Sequence, residues 1–163
     1  MTTLIPSNVS ELLCKSGVSP LVIKGKTVLP IVQGGMGVGV SAHSLAGAVA
    51  KAGGVGTISS IDLRRLHPDL MEQTQHLTPC SESRELINVA NIEALKREIK
   101  LAKEESQGSG LIAVNVMKAV SEYAQYVKCS LENGADMIVV GAGLPLDLPD
   151  LASDYPDALL VPI

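Results

Sequence analysis

Short runs of aliphatic residues recur along this chain, each followed by glycine or small polar residues and then by a stretch of helical character. Gly54-Val55-Gly56-Thr57-Ile58, Leu111-Ile112-Ala113-Val114-Asn115-Val116 and Met137-Ile138-Val139-Val140 are nearly continuous in apolar character and do not alternate with polar residues. A strand with one wet face alternates. A strand buried on both faces reads as an unbroken apolar run, the mark of a parallel sheet covered by helices. The chain is therefore an α/β protein, either a doubly wound open sheet or a (β/α) barrel of the TIM type. Periodicity alone does not separate these two.

The elements follow in order. Leu21 to Ile23 and Thr27 to Leu29 read as a small hairpin about Lys24-Gly25-Lys26. Pro30-Ile31-Val32-Gln33 reads as a short buried strand closed by Gly34-Gly35-Met36-Gly37. A helix follows, with Ser41 as N-cap, Leu45 and Val49 one turn apart, and Gly53 as its end. Its many alanines suit close packing on a sheet. After the strand ending at Ile58 and Ser59-Ser60, residues 61 to 90 read as a long excursion with one or two short helices. Asn91 then reads as the cap of a helix whose stripe is Ile92, Leu95, Ile99 and Ala102, with Glu93 and Arg97 as an i,i+4 pair. Val120, Tyr123, Val127 and Leu131 mark another helix, stopped at Asn133-Gly134, and Ala158 to Ile163 begins a fifth strand.

Composition narrows the function classes. With 46% hydrophobic and 18% charged residues, the 163-residue chain is suited to a folded domain with its own core. There is no Phe or Trp, so that core must be aliphatic. The net charge of −4 and the scattered Lys and Arg give no basic stripe for a nucleic acid. No apolar run is long enough for a membrane span, and the start Met1-Thr2-Thr3-Leu4-Ile5-Pro6 is no secretory signal. Cys14, Cys80 and Cys129 are widely spaced with no Cys-x-x-Cys pair, as expected of reduced thiols in a cytoplasmic protein.

The polar residues point to where a ligand would sit. Gln33 to Gly37, Ser59-Ser60, Asn115 and Gly141-Ala142-Gly143 each follow or end a strand. In parallel α/β folds that edge binds ligands. A glycine after a strand can equally serve only a tight turn, but four successive strands carrying small or polar groups on one edge favour a site. Glycines let the backbone approach a flat ring and offer it N–H donors, while Met36 could pack on that ring or fill the core. Gly35-x-Gly37-x-Gly39 lacks the spacing of a dinucleotide fingerprint, and no P-loop motif is present.

Pro30-Ile31-Val32-Gln33-Gly34-Gly35-Met36, followed by the stretch from Leu45 to Ile58, resembles the opening of the nitronate monooxygenase family, formerly called 2-nitropropane dioxygenases. Val114-Asn115-Val116-Met117 resembles its third-strand signature and Val139-Val140-Gly141-Ala142-Gly143 its fourth. The similarity runs in order over most of the chain. It implies an FMN-dependent barrel that oxidises alkyl nitronates with molecular oxygen (O2), giving a carbonyl compound and nitrite. By this resemblance Gly34, Gly35, Met36 and Gly37 line the isoalloxazine, with Gln33 at the strand end. Asn115 contacts the flavin, and Gly141, Ala142 and Gly143 lie along the same rim.

The resemblance also sets expectations about what lies elsewhere. Family members carry a catalytic or substrate-facing His after a later strand, which here would lie beyond Ile163. His43, His67 and His76 read as surface or packing residues, with the latter two able to reach a flavin only if the excursion folds over the mouth. A full barrel takes eight strands and typically about 250 residues. Residues 1–163 are thus expected to be the N-terminal portion of a single FMN-binding barrel domain, without turnover alone, and sticky, partly disordered or self-associating through open edges and apolar surface, with a homo-oligomer among the expected partners. No metal site is expected. An FMN-dependent enoyl-acyl carrier protein reductase using NAD(P)H shares the Gln-Gly-Gly-Met opening and is the nearest rival. A non-catalytic half-barrel serving as an interaction segment is the rival of another class.

Overall fold

The computed structural model describes residues 2–77 and 81–163. In chain order it contains β1 (Thr2–Thr3), α1 (Ser7–Ser16), β2 (Leu21–Ile23), β3 (Lys26–Val28), α2 (His43–Lys51) and β4 (Val55–Ser59). A 3-10 turn (Leu63–Leu66), α3 (Pro68–Thr74), α4 (Ser81–Ser106) and β5 (Leu111–Met117) follow. The remainder is α5 (Tyr123–Glu132), β6 (Met137–Gly141), α6 (Leu148–Leu151) and β7 (Leu159–Pro162).

The apolar runs pair as an all-parallel sheet in the order β4-β5-β6-β7. A doubly wound sheet reverses its strand order at a switch point and carries helices on both faces. Here the order follows the sequence without reversal, and a parallel bridge from Val32 to Val55 extends the same progression at the other edge. On one face Ile58, Ile112, Val114, Val116, Ile138 and Val140 pack with Ala46, Leu95, Ile99 and Val127 from the helices. On the other, Val55, Leu111, Ala113, Met137 and Leu159 pack with Val28 of the small sheet β1-β3-β2. Helices outside, a narrow inner face and a plug at the strands' N-terminal end make this an incomplete (β/α) barrel.

Small residues bring helix and sheet together. Ala46 and Ala50 of α2 are fully buried, and opposite them β4 carries Gly56. A Cβ on Gly56 would lie 1.8 Å from the Ala46 carbonyl oxygen and 2.5 Å from its carbonyl carbon. Backbone cannot yield there as a flexible side chain could, so only glycine fits.

Several elements differ from the sequence expectation. The hairpin is present with β3 shifted one residue towards the N-terminus, and β1 joins it in parallel. Pro30–Gln33 does not form a buried strand: only Val32 bridges to β4, and Ile31 and Val32 are more than half exposed because no strand covers their outer side among the described residues. Asn91 caps nothing. It lies within α4, buried, and its carboxamide accepts the Arg64 amide at 3.3 Å. The helix runs through it because the segment from Ser81 to Ala90 holds no Gly or Pro to stop it. The Glu93–Arg97 pair forms at 3.0 Å, and Gly53 adopts the positive φ (96°) that ends α2. Of the thiols, Cys14 is exposed and Cys129 buried, and Cys80 lies outside the described residues. Burial pushes the Cys129 thiol up to about 11, which keeps it un-ionised and inert at neutral pH.

Gly56→Ala is expected to destabilise the fold by about 3 kcal/mol through overpacking against α2. Gly134→Ala, at positive φ but with open space around its Cβ, should cost about 1 kcal/mol. Urea unfolding of the two variants side by side checks the contrast.

Candidate functional site

In a parallel ladder, paired residues point to the same face. The pairings Ser59↔Asn115, Asn115↔Val139 and Val139↔Val161 therefore form one inner layer at the C-terminal rim, above a layer of Thr57, Ala113, Met137 and Leu159. The polar members of the rim layer, Ser59 and Asn115, stand on neighbouring strands. Over them lies the glycine-rich loop that follows Gln33.

The loop is held by Gln33 and Ser41. The Gln33 amide bonds the Val55 carbonyl at 2.9 Å, continuing the bridge at the sheet edge. Its side-chain oxygen accepts the Thr57 amide at 2.8 Å, and its Nε2 donates to the Ser41 hydroxyl at 2.9 Å and to the Gly34 carbonyl. The Ser41 Oγ also accepts the Met36 amide (2.8 Å) and donates to the Gly34 carbonyl (3.2 Å). One donor and two lone pairs are thereby fully used. The Ser41 amide and carbonyl bond Met36 and Ser59, both at 2.9 Å. Ser41 is completely buried and does not cap α2: its hydroxyl is consumed by the loop, and Ala42 is the N-cap residue.

The loop comes down onto Asn115 at Gly35. A Cβ there would lie 2.7 Å from the Asn115 Cβ and 3.3 Å from its Nδ2. At Gly34 a Cβ would meet nothing within 4 Å, and at Gly37 it would lie 3.4 Å from the Ser59 hydroxyl. Among the described residues the amides of Gly34, Gly35 and Gly37 and the Asn115 carboxamide have no protein hydrogen-bond partner. Met36 and Val38, each 48% exposed, present apolar surface beside these donors.

Gly141 ends β6, and Ala142 and Gly143 follow it on the same rim. They adjoin β5's end rather than the glycine loop: the Lys118 amide bonds the Gly141 carbonyl at 2.8 Å, and a Cβ on Gly143 would touch the Lys118 side chain at 3.1 Å. Ala142 is a non-glycine residue at φ 58°, a left-handed conformation costing roughly 1–2 kcal/mol that clusters at functional loops. Lys118, a rim cation that sequence reasoning passed over, lies 4.0 Å above the Tyr123 ring and 2.6 Å from Asp147. The Lys118 hydrogen bond holds the exposed Asp147 carboxyl below the usual carboxylate range. Burial, then the Asp147 charge, pushes Tyr123 up to about 12.

None of the histidines enters the rim. His43 and His67 both turn to Glu98 on α4, and His76 is exposed beyond α3. The 3-10 turn and α3 of the excursion pack against α4. Among the described residues no cluster suits a metal ion, and no helix is long and apolar enough to cross a membrane. The rim itself is an open shelf, and a surface groove lies away from it between α4 and α5 around Ile92 and Cys129.

The sequence profile of the nitronate monooxygenase family matches residues 19–163. The chain belongs to the nitronate monooxygenase family. No match is found among curated proteins. Nitronate monooxygenases are FMN-dependent oxidoreductases, and the groups on the shelf are compatible with an isoalloxazine. Free backbone donors suit the ring's carbonyl and nitrogen acceptors, a carboxamide can both donate and accept, and Met36 and Val38 offer apolar contact to a flat face.

Ser41→Ala would leave the Met36 amide and Gln33 Nε2 short of an acceptor, at a cost of about 1–3 kcal/mol. Amide hydrogen exchange should accelerate at Met36 and Ser41 while β5 and β6 keep their protection. Lys118→Met should let the Asp147 carboxyl rise towards its ordinary value, followed by carboxyl NMR titration. Because the folded value is depressed, the stabilisation from this pair is present above the ordinary carboxylate range and disappears as pH falls through the folded value. The variant should lack that acid-side loss.

Proposed function

We propose that this chain forms the flavin-holding part of an FMN-dependent oxidoreductase that oxidises small alkyl nitronates with O2 to a carbonyl compound and nitrite. The observation that carries this is the apposition of the Gly34–Gly37 backbone and the Asn115 carboxamide at the sheet's C-terminal rim. Family membership supports FMN as the cofactor.

In this reading the residues bind and orient. The amides of Gly34, Gly35 and Gly37 would hold the ring's polar edge, and Gly35 allows that backbone to sit directly against Asn115. Asn115 would fix the ring's position from the neighbouring strand, with Met36 packing on its face. Bound FMN would supply the electron acceptance that no side chain here can provide. Gln33 and Ser41 need not touch the ring. By consuming the loop's inward-facing polar groups, they leave the glycine amides free for it. Gly141, Ala142 and Gly143 would extend the same rim towards substrate. Lys118 stands beside them, but its charge is already paired with Asp147.

The protein expressed from its complete reading frame should bind FMN. Asn115→Ala and Gly35→Ala should each weaken that binding about tenfold or more, the first by loss of a hydrogen bond and the second by displacing Asn115. Anaerobic flavin spectra decide the chemistry. Reduction by propyl nitronate with NADPH inert is the expected outcome. Bleaching by NADPH with nitronate inert would assign the chain to enoyl-thioester reduction. No flavin at all would remove both and leave a non-catalytic interaction segment.

A further inference from the structure

The most buried carboxyl side chain among the described residues lies outside the rim. Glu98 is 1% exposed and sits on the same α4 face as Leu95, Ile99 and Ala102, where an apolar residue is the rule. Its Oε2 accepts the His43 backbone amide at 2.7 Å and faces the His43 Nδ1 at 2.8 Å. Its Oε1 lies 3.0 Å from the His67 Nε2, within ion-pair distance though outside hydrogen-bond alignment. A buried carboxylate is tolerated only with such partners. Each partner belongs to a segment that flanks the glycine loop.

On one side, His43 is the first residue of α2, two residues after Ser41, whose hydroxyl gathers Gln33, Gly34 and Met36. Ala42 gives α2 no side-chain cap, so the Glu98 carboxylate takes that role from another helix, favoured by the helix dipole. On the other side, His67 closes the segment after β4. Ile61 and Leu66 of that segment lie under the loop: a Cβ on Gly37 would be 3.7 Å from Ile61, and one on Gly39 would be 3.0 Å from Leu66. The loop is thus seated between two walls that one carboxylate ties together.

We infer that Glu98 is a positioning residue for the glycine-rich loop, acting through His43 and His67, and that flavin affinity depends on it although it touches no ligand. The dependence on flavin rests on the proposed function; the seating of the loop does not. The charged groups around it are Arg64 and Asp62 beside the 3-10 turn and the Arg97–Asp69 and Lys51–Glu105 pairs on the outer helix faces. None of these pairs includes the Glu98 carboxylate.

Glu98→Gln and Glu98→Leu in the full-length protein test this. Gln keeps an oxygen for the His43 amide and Nδ1–H, whereas Leu keeps only the volume. In Glu98→Leu, hydrogen exchange at Ser41, His43 and His67 should rise about tenfold, with β5 and β6 unchanged, and FMN affinity should fall about tenfold. Glu98→Gln should restore both most of the way. Wild-type exchange at those amides in Glu98→Leu, or acceleration spread equally through β5 and β6, would overturn the inference. Should Glu98→Leu fail to fold, His67→Leu removes one arm alone. Faster exchange from Asp62 to His67, with Ser41 and His43 unchanged, supports the inference, and unchanged exchange throughout overturns it. If the wild-type protein binds no FMN, the flavin function falls while the exchange rates still decide the role of Glu98.

Discussion

The close approach of α2 to β4 governs the architecture around the site. With hydrogen in place of a side chain at Gly56, the helix backbone at Ala46 rests directly on the strand. The helix axis is thereby drawn close to the sheet, and the connection from Gln33 to α2 must turn within a few residues at the strand ends. A chain making that turn has its amides crowded inward. Ser41 satisfies the Met36 amide and Gln33 ties the loop to the Thr57 amide of β4, while the amides of Gly34, Gly35 and Gly37 are left without a protein partner. The apolar packing that builds the sheet and the polar shelf that would hold a cofactor are consequences of one contact.

Register carries the same constraint across the sheet. Parallel pairing in step places Ser59 and Asn115 on one inner layer, so a residue read in sequence as a polar interruption of a strand becomes the neighbour of a loop some eighty residues earlier. A shift of one residue would turn Asn115 into the helix layer among Val114 and Val116. The aliphatic packing of that layer, with Ile58, Ile112 and Ile138 fully buried, holds the register, at roughly 1.5–3 kcal/mol per buried side chain.

Much of this was legible beforehand. The apolar runs became β4 to β7, the Ala-rich segment became α2, and the residues singled out at strand ends lie on one rim. The departures share a physical origin. Ser41 and Asn91 each have the side chain of a cap and stand by a helical stripe, yet Ser41 folds back onto the loop just before it and Asn91 reaches the 3-10 turn, neither of which helical periodicity discloses. Glu98 carried a signal that could have been used: a carboxylate on the stripe of Leu95, Ile99 and Ala102 must find buried partners. Lys118 carried none, since a lysine after a strand is ordinary until Gly143 and Asp147 are seen beside it.

By itself the sequence determined the α/β class, the order of the elements and the family resemblance, because these follow from periodicity, local turn chemistry and motifs contiguous in the chain. The choice of a barrel over a doubly wound sheet required the strand order and the single helical face. The meeting of Gly35 with Asn115, and of His43 and His67 on Glu98, likewise depended on tertiary structure. These contacts join residues dozens of positions apart, and only the packing of helices on a parallel sheet in one register brings them within hydrogen-bonding or van der Waals reach.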